Sequence, residues 1–372
     1  MKILLVYKVN LEDPIASGVA QKMYDQNSAI QRSGHNVELA YIQGNKIIIG
    51  ESVCSIENTK RKYLIKNIHF FQVLGEYTQS RRFDIIYIRY PFSSPYFIHW
   101  LAHINKIHPQ CKIVIEVPTF PYHKEFEGFG KIRLILDLWY RRFLKKYVDR
   151  IVLIGQHDEL WGIKTIKITN GINVSRKEKF DSKRKEGEVR LVAVGNWRNW
   201  HGLDRLISGM GQYYLKHPSV KITLDVIGGG SFVLSYKQQV LHLNLEKYVV
   251  FHGEVQHDQL DRFFHSADIG IGTLGNHRIG IKEHSPLKHR EYCSYGLPFI
   301  LSSYDKDFQH DLDFVQYHPS DDSPISCNLL LDFYDQTLHS HSSIRNYAIQ
   351  NLSWAIRMDE VIKEVLFIKQ DK

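Results

Sequence analysis

The chain has 372 residues, 43% hydrophobic and 24% charged, with a formal net charge of +8. That length exceeds one ordinary core and that balance is globular, so two domains are expected and a disordered or fibrous chain is excluded. Cys54, Cys111, Cys293 and Cys327 stand far apart with no CxxC or Cys/His ligand spacing, which argues against disulfides and structural zinc and for a reducing compartment.

In chain order, 2-KILLVY-7 reads as a buried strand; its apolar run is too short for a signal peptide, and no later span approaches transmembrane length. A turn at Gly18 leads into a helix over about 19–33, followed by Gly34 and a strand, 36-NVELAYI-42. Further strands are 84-DIIYIR-89, 112-KIVIEV-117 and 150-RIVLIG-155, with helical periodicity between them. The stretch 130-GKIRLILDLWYRRFLKKYVDR-150 reads as one basic amphipathic helix, with Ile132, Leu136, Trp139, Phe143 and Tyr147 on one face and Arg141, Arg142, Lys145 and Lys146 on another. Such a helix suits either an anionic membrane surface, reached through about residues 131–147, or a core crossover with a solvated basic face. Residues 1–175 hold 24 Lys/Arg against 15 Asp/Glu, a net of +9, so the basic excess belongs to the first half.

The charged run 175-SRKEKFDSKRKEGE-188 reads as a linker, and the pattern then restarts. Strand 189-VRLVAVG-195 precedes helix 203–216; strand 220-VKITLDVI-227 precedes 228-GGGS-231 and a helix; 249-VVF-251, a helix at 257–265, 268-DIGIGTL-274 and 299-FILS-302 follow. Two βαβα runs predict two Rossmann-like, doubly wound parallel sheets of α/β class, with ligands at the carboxyl ends of the strands. The expected organisation is a first domain over 1–174, a linker over 175–188, a second domain over 189–345 and a long final helix from 346 to the end at 372.

The densest chemistry lies in 282-KEHSPLKHREYCSYGLPFI-300. Ser285-Pro286 and Gly296 bound a short helix over 286–295. His284, Lys288 and His289 crowd the positive end of its dipole, a conflict that an anion resting on the helix start would resolve. Glu283 and Glu291 flank that slot, so a diol, an anion and a second polyol would sit in a row. The repeated DxD strings, 305-DKD-307 and 311-DLD-313, read as surface loop. No HExxH or convergent ligand set is present, so no metal and no cofactor is expected, and no RNP-type aromatic array points to nucleic acid.

The string SPLKHREYCSYGLPFI with Glu283 ahead of it resembles the E-x7-E region of retaining GT-B glycosyltransferases, particularly family 4. "SGHNVEL", "ITNGINV", "VAVGNWRNWHGLDRLI", "DVIGGGS", "VVFHGEV" and "SADIGIGTL" resemble that family's successive elements in the same order over essentially the whole chain. The resemblance implies two Rossmann-like domains facing a cleft, a C-terminal helix crossing back to the first domain, and retaining transfer of a sugar from a UDP- or GDP-linked donor to a saccharide, perhaps a lipid-linked one. The cell-surface polysaccharides of bacteria would be the product class. It also implies a cytoplasmic enzyme, peripheral on the inner membrane face if the basic helix docks there.

On the same resemblance, Glu291 binds the donor ribose, Glu283 contacts the transferred sugar, and the backbone at Ser285 and Leu287 holds the diphosphate. Gly18 marks a backbone approach to the donor phosphates, though this chain has Ser17-Gly18 where relatives often carry two glycines. Lys288 is added from charge. The loop 195-GNWRNWHG-202 departs from the family, which carries an arginine and a lysine where Asn196 and His201 stand; Arg198 and His201 are the candidate replacements. Gly229, in the GGGS turn, is a donor-side candidate that a tight turn explains equally well. Arg89, Tyr90, Thr119, Tyr122 and His123, in loops after strands of the first domain, are the acceptor-side candidates, with Glu116 or Glu125 able to orient a hydroxyl. The rival readings are a nucleotide-sugar epimerase or hydrolase of the same fold, which needs no acceptor, and a non-catalytic basic protein binding membrane or nucleic acid.

Overall fold

A computed structural model of the chain describes residues 1–13, 16–55, 62–118, 120, 122, 130–174, 187–256 and 259–367. Two compact units emerge, one of Met1–Thr169 with Trp354–Lys372 and one of Asn170–Ser353.

The first unit opens with β1 (Lys2–Asn10), α1 (Ser17–Arg32), β2 (Asn36–Gln43), β3 (Lys46–Ile49), β4 (Ser52–Ser55) and α2 (Lys62–Gln79). It continues with β5 (Ile85–Arg89), α3 (Pro95–Ile107), β6 (Lys112–Val117), α4 (Gly130–Tyr140), β7 (Arg150–Ile154), β8 (Glu159–Leu160) and β9 (Ile163–Ile168). Among the described residues the sheet order is β4-β3-β2-β1-β5-β6-β7-β9-β8. Pairing from β2 through β9 is parallel, and β3, β4 and β8 pair antiparallel at the two edges.

The run Ile3–Tyr7 is apolar at every position because both of its faces are covered, as parallel strands require. Leu4 and Val6 point into one core with Phe70, Phe97 and Trp100, while Ile3, Leu5 and Tyr7 point into another. Ser94 starts α3 by accepting from the Phe97 amide at 3.3 Å, with Pro95 in the first turn.

The second unit holds β10 (Glu188–Val194), α5 (Leu203–Tyr214), β11 (Lys221–Ile227), α6 (Val233–His242), β12 (Val249–Gly253), α7 (Leu260–Ser266) and β13 (Ile269–Ile271). Then come α8 (Leu287–Ser294), β14 (Phe299–Leu301), β15 (Val315–Tyr317), α9 (Cys327–Thr337) and α10 (His341–Asn351). Its sheet, β12-β11-β10-β13-β14-β15, is parallel throughout. The chain then returns to the first unit as α11 (Trp354–Leu366). Trp354, Met358, Val361 and Val365 of α11 are buried with Ile3, Leu5 and Tyr7.

The departures from expectation are local. The single final helix over 346–372 is two helices, broken where the Ile172 amide takes the Leu352 carbonyl at 2.8 Å and Ile172 bridges Ser353. The change of unit therefore falls at 353/354, not at 346. Residues 175–186 of the expected linker lie outside the described residues, and Glu188 already belongs to β10. The hairpin of β3 and β4 escaped the reading of the sequence. The expected helix over 130–150 stops at Tyr140, and Arg141–Lys146 form a 3-10 turn.

Fully buried Glu116 is the polar centre of the first unit. It accepts from Lys22 at 2.7 Å, Tyr87 at 2.6 Å and Gln26 at 2.9 Å, with Arg89 at 3.4 Å. Burial alone would raise its carboxyl, but Lys22 and Arg89 outweigh that and hold it at about 2, below the ordinary 4.5. Glu116 is therefore structural, not a group that orients an acceptor. A carboxylate depressed in the folded state contributes stability that is complete above its unfolded pKa and lost as pH falls through the folded one. Glu116→Gln should flatten the loss of unfolding free energy between about pH 4.5 and 2 that the parent shows, measured by urea denaturation at a series of pH values.

Candidate functional site

In the second unit the segments just past β10 and β13 meet the first turn of α8, at Trp197 and Gly272. The loop after β10 carries Asn196, Trp197, Arg198 and His201. Trp197 is fully buried, its ring nitrogen donating to the Ile227 carbonyl at 3.2 Å and its amide to the Gly229 carbonyl at 2.7 Å. The glycine turn after β11 is shaped by that loop. At Gly228, φ is +110° and an added Cβ would lie 2.0 Å from the Gly195 carbonyl oxygen, so only glycine lets the two backbones approach. At Gly229 an added Cβ would meet only the movable end of the Glu254 side chain, at 2.4 Å, so this position is less constrained than Gly228. Arg198, exposed, donates to Ser231 Oγ at 3.0 Å and so ties the loop to the turn.

The Arg198 amide donates to His201 Nδ1 at 3.0 Å, which leaves Nε2 as the protonated nitrogen. Burial, then the nearby Lys288 charge, pushes His201 down to about 3. This is a neutral donor, not a cation standing in for lysine.

Helix α8 starts one residue later than expected, with Pro286 at the cap. Ser285 does not cap it: its hydroxyl takes the Asn170 amide at 3.3 Å, and its carbonyl takes Asn170 Nδ2 at 2.9 Å. Lys288, in the first turn, is buried and points at the Gly272 carbonyl, 2.9 Å away, with the Trp197 ring at 5.6 Å. No carboxylate pairs with it among the described residues, and burial lowers its pKa from 10.5 to about 7. Thr273 Oγ1 and Asn276 Oδ1, close in sequence to Gly272, are buried without a hydrogen-bond partner.

Leu287 and Glu291, four residues apart, are the positions of α8 left half-open while Lys288, His289, Arg290, Tyr292 and Cys293 are buried. The Glu291 charge is felt at Tyr292 and Tyr295. Glu283 is half-buried on a strand-like pairing with Tyr304. Tyr304, but not Glu283, lines a cavity of about 510 Å³ together with Lys282, His310, Tyr317 and His318.

The crowd of cations does not share one purpose. His289 and Arg290 turn away from the helix start into a buried ion network. Arg290 meets both oxygens of Asp305, one at 2.6 Å, and Asp307 at 2.5 Å, while His289 Nδ1 lies 2.9 Å from Asp305. Burial would raise the Asp305 carboxyl, but Arg290 and the His289 hydrogen bond hold it well below the carboxylate range. The reading of 305-DKD-307 as surface loop is thus overturned: Asp305 is fully buried and fastens α8 to the segment after β14. The pairing was invisible because the contact returns across β14, between partners 15 positions apart in the chain. His284 is also neutral, pushed to about 4 by burial and then by His289, and its Nδ1 faces Asn276 Nδ2 at 3.1 Å.

Gly18, Arg89, Tyr90 and Tyr122 belong to the first unit. Gly18 lies in the first turn of α1, exposed, with open space where a Cβ would be. Tyr90 and Tyr122 are buried, and both hydroxyls are committed to the buried carboxylate of Asp137, Tyr122 at 2.6 Å. They are core, and the expectation that they line an acceptor surface fails because Asp137 needs both donors. Arg89 is turned onto Glu116. Thr119, His123 and Glu125 lie outside the described residues.

Residues 174–307 match the family model described as Glycosyl transferases group 1, about a third of the chain. No curated protein matches. Among solved structures, the chain is similar to a glycosyltransferase from Rickettsia africae, at 13% identity over 99% of both chains with a TM-score of 0.61. It is similar to HepE of Anabaena, solved with UDP and glucose, at 15% identity over 98% of this chain and 99% of that one, TM-score 0.61. It is also similar to sucrose-phosphate synthase of Thermosynechococcus elongatus, at 13% identity over 98% and 99%, TM-score 0.66. At such identities these likenesses give the fold, which is of the GT-B class.

Asp305→Ala should lower the unfolding free energy by about 3–5 kcal/mol, because it strands a buried guanidinium. Tyr304→Ala, at a neighbouring exposed position, should change it by less than about 0.5 kcal/mol. Equal effects in chemical denaturation would show that the network adds nothing.

Proposed function

We propose that this chain, which over residues 174–307 belongs to the glycosyl transferases group 1, moves a sugar from a nucleotide-diphosphate donor to a hydroxyl of a saccharide acceptor with retention. The observation that carries the reading is Lys288, a buried ammonium at a helix start with a carbonyl as its hydrogen-bond partner and no carboxylate. A diphosphate would meet Lys288, the first amides of α8 near Ser285 and Leu287, and the Nε2–H of His201. Glu291 would accept from the ribose hydroxyls, and Glu283 would contact the transferred sugar. Arg198 and Asn196, on the exposed side of the loop after β10, would meet the leaving phosphate. UDP is the donor base tested first, since HepE was solved with UDP.

In the reaction the bond from the anomeric carbon to the phosphate oxygen breaks, and the acceptor oxygen bonds to the same face of that carbon. The acceptor proton passes to the departing phosphate. Lys288 stabilises the charge that develops there, which is usually the largest catalytic contribution. The acceptor side is assigned to the first unit, with polysaccharide assembly as the setting.

Proton linkage tests the donor site. At pH 8 a lysine near 7 is mostly neutral, and a diphosphate would raise its pKa. UDP binding at pH 8 should therefore take up close to one proton more in the parent than in Lys288→Met, and that difference should nearly vanish at pH 6, read by titration calorimetry in buffers of different ionisation enthalpy. Taking the difference cancels the terminal phosphate of UDP, which itself titrates at about 6. Lys288→Met should also weaken binding about tenfold to a hundredfold, the worth of a hydrogen bond to a charged group. Equal uptake by parent and variant would remove Lys288 from the phosphate.

The first unit also supports contact with an anionic membrane. Ile132, Ile135, Leu136 and Trp139, at helical spacing on α4, are 47–63% exposed. That part of the stripe faces outward, while Leu134 and Asp137 of the same helix pack inward. Arg142 stacks on the Trp139 ring at 3.5 Å, and Lys145 and Lys146 follow, exposed. An apolar stripe edged by cations fits an anionic lipid surface. Trp139→Glu should weaken binding to phosphatidylglycerol vesicles at least about tenfold, and the parent's binding should fall as salt rises. A variant that sediments with vesicles as fully as the parent would place the contact elsewhere.

A further inference from the structure

The cations of the first unit fall into two sets. Lys22 and Arg89 share Glu116, and Arg141 lies 3.9 Å from Asp137. Lys8 and Arg133 form no ion pair with any carboxylate among the described residues. Lys8 Nζ rests over the Phe71 ring at 5.3 Å, and Arg133 rests over the Phe92 ring at 4.5 Å.

Strand register brings the two together. Val6 pairs with Ile88 of β5, so Lys8, two residues on, stands at the carboxyl end of the sheet on the face shared by Leu4 and Val6. Arg133 reaches that end from α4, its Nη2 donating to the Pro91 carbonyl at 3.2 Å just past β5. Phe92 follows with φ at 63°, an unusual backbone for an aromatic residue. Lys8 feels its neighbour: burial first, and then the Arg133 charge, lowers it to about 8. A half-buried ammonium beside a second, exposed cation, with no carboxylate paired to either among the described residues, is unfavourable as it stands. Both cations occupy the end of a parallel sheet where ligands bind.

We propose that Lys8 and Arg133 form a phosphate subsite in the first unit, which takes a phosphate group carried by the acceptor. The proposal rests on assigning the acceptor to the first unit. A guanidinium and an ammonium at the same end of one sheet suit a phosphate monoester, the fork binding two oxygens and the ammonium a third. Arg133 projects from the helix that bears the exposed apolar stripe, so a lipid phosphate would place its chains along Ile132 and Leu136. A soluble sugar phosphate would use the same two cations.

The probes are sn-glycerol 3-phosphate in solution, and vesicles of phosphatidylcholine containing either phosphatidic acid or phosphatidylglycerol. They are titrated against the full chain, its Lys8→Met, Arg133→Gln and double variants, Lys8→Arg and Lys288→Met. The expected result is binding of a monoester that each single variant weakens at least about tenfold, about 1.4 kcal/mol. Lys8→Arg should keep most of it, and Lys288→Met should leave it unchanged. Binding of glycerol phosphate identifies a soluble source; binding confined to phosphatidic acid over phosphatidylglycerol identifies a lipid headgroup. Failure of the parent to bind either monoester, or parent-like binding by the double variant, overturns the proposal. Affinity for UDP is measured on the same samples, so loss of the donor reading and loss of this one are told apart.

Discussion

The placement of α8 depends on one buried guanidinium. Arg290 cannot be moved to water without breaking its contacts with Asp305 and Asp307, and it also donates to the Asn170 and Pro286 carbonyls at 3.3 Å. A charge in a protein interior is tolerated only when paired and hydrogen-bonded on every side. Here those partners come from the segment before β10, the helix's own cap and the loop after β14. Once Arg290 is satisfied, the axis and rotation of α8 are set, and with them the directions of Lys288 and Glu291.

Charge pairing divides the buried and half-buried cations of both units into two sets. Arg290 and Lys22 have carboxylates, and their roles are internal. Lys288 has a carbonyl, and Lys8 an aromatic face. An ammonium left half-neutral by burial is poised to take an anion and a proton together. Residue type does not distinguish these cases; the difference lies in what the fold brings within reach.

The neutral histidines follow the same logic. His201, His284 and His289 lie close enough to feel Lys288, and burial keeps all three uncharged. A cluster of four full positive charges would not pack. One lysine near neutrality with neutral imidazoles around it does, and His201 and His284 remain hydrogen-bond donors through Nε2.

Much of the architecture was legible in the sequence. Five-residue apolar runs such as Ile3–Tyr7 permit only strands covered on both faces, and their alternation with amphipathic helices dictates two parallel sheets. The helix after Ser285-Pro286, and the bracketing of its start by Glu283 and Glu291, also follow from local signals. What the sequence could not carry was the destination of each side chain. Tyr90 and Tyr122 read as rim residues until Asp137, from a helix later in the chain, claimed both hydroxyls. The stripe of Ile132 and Trp139 was equally compatible with core and surface, because periodicity fixes a face and not what it faces. Asp305 read as loop because its partner Arg290 lies across a strand. Local chemistry determined the elements and their order; only the tertiary structure decided which charges are neutralised by a carboxylate within the protein and which are not, since pairing depends on distance in space.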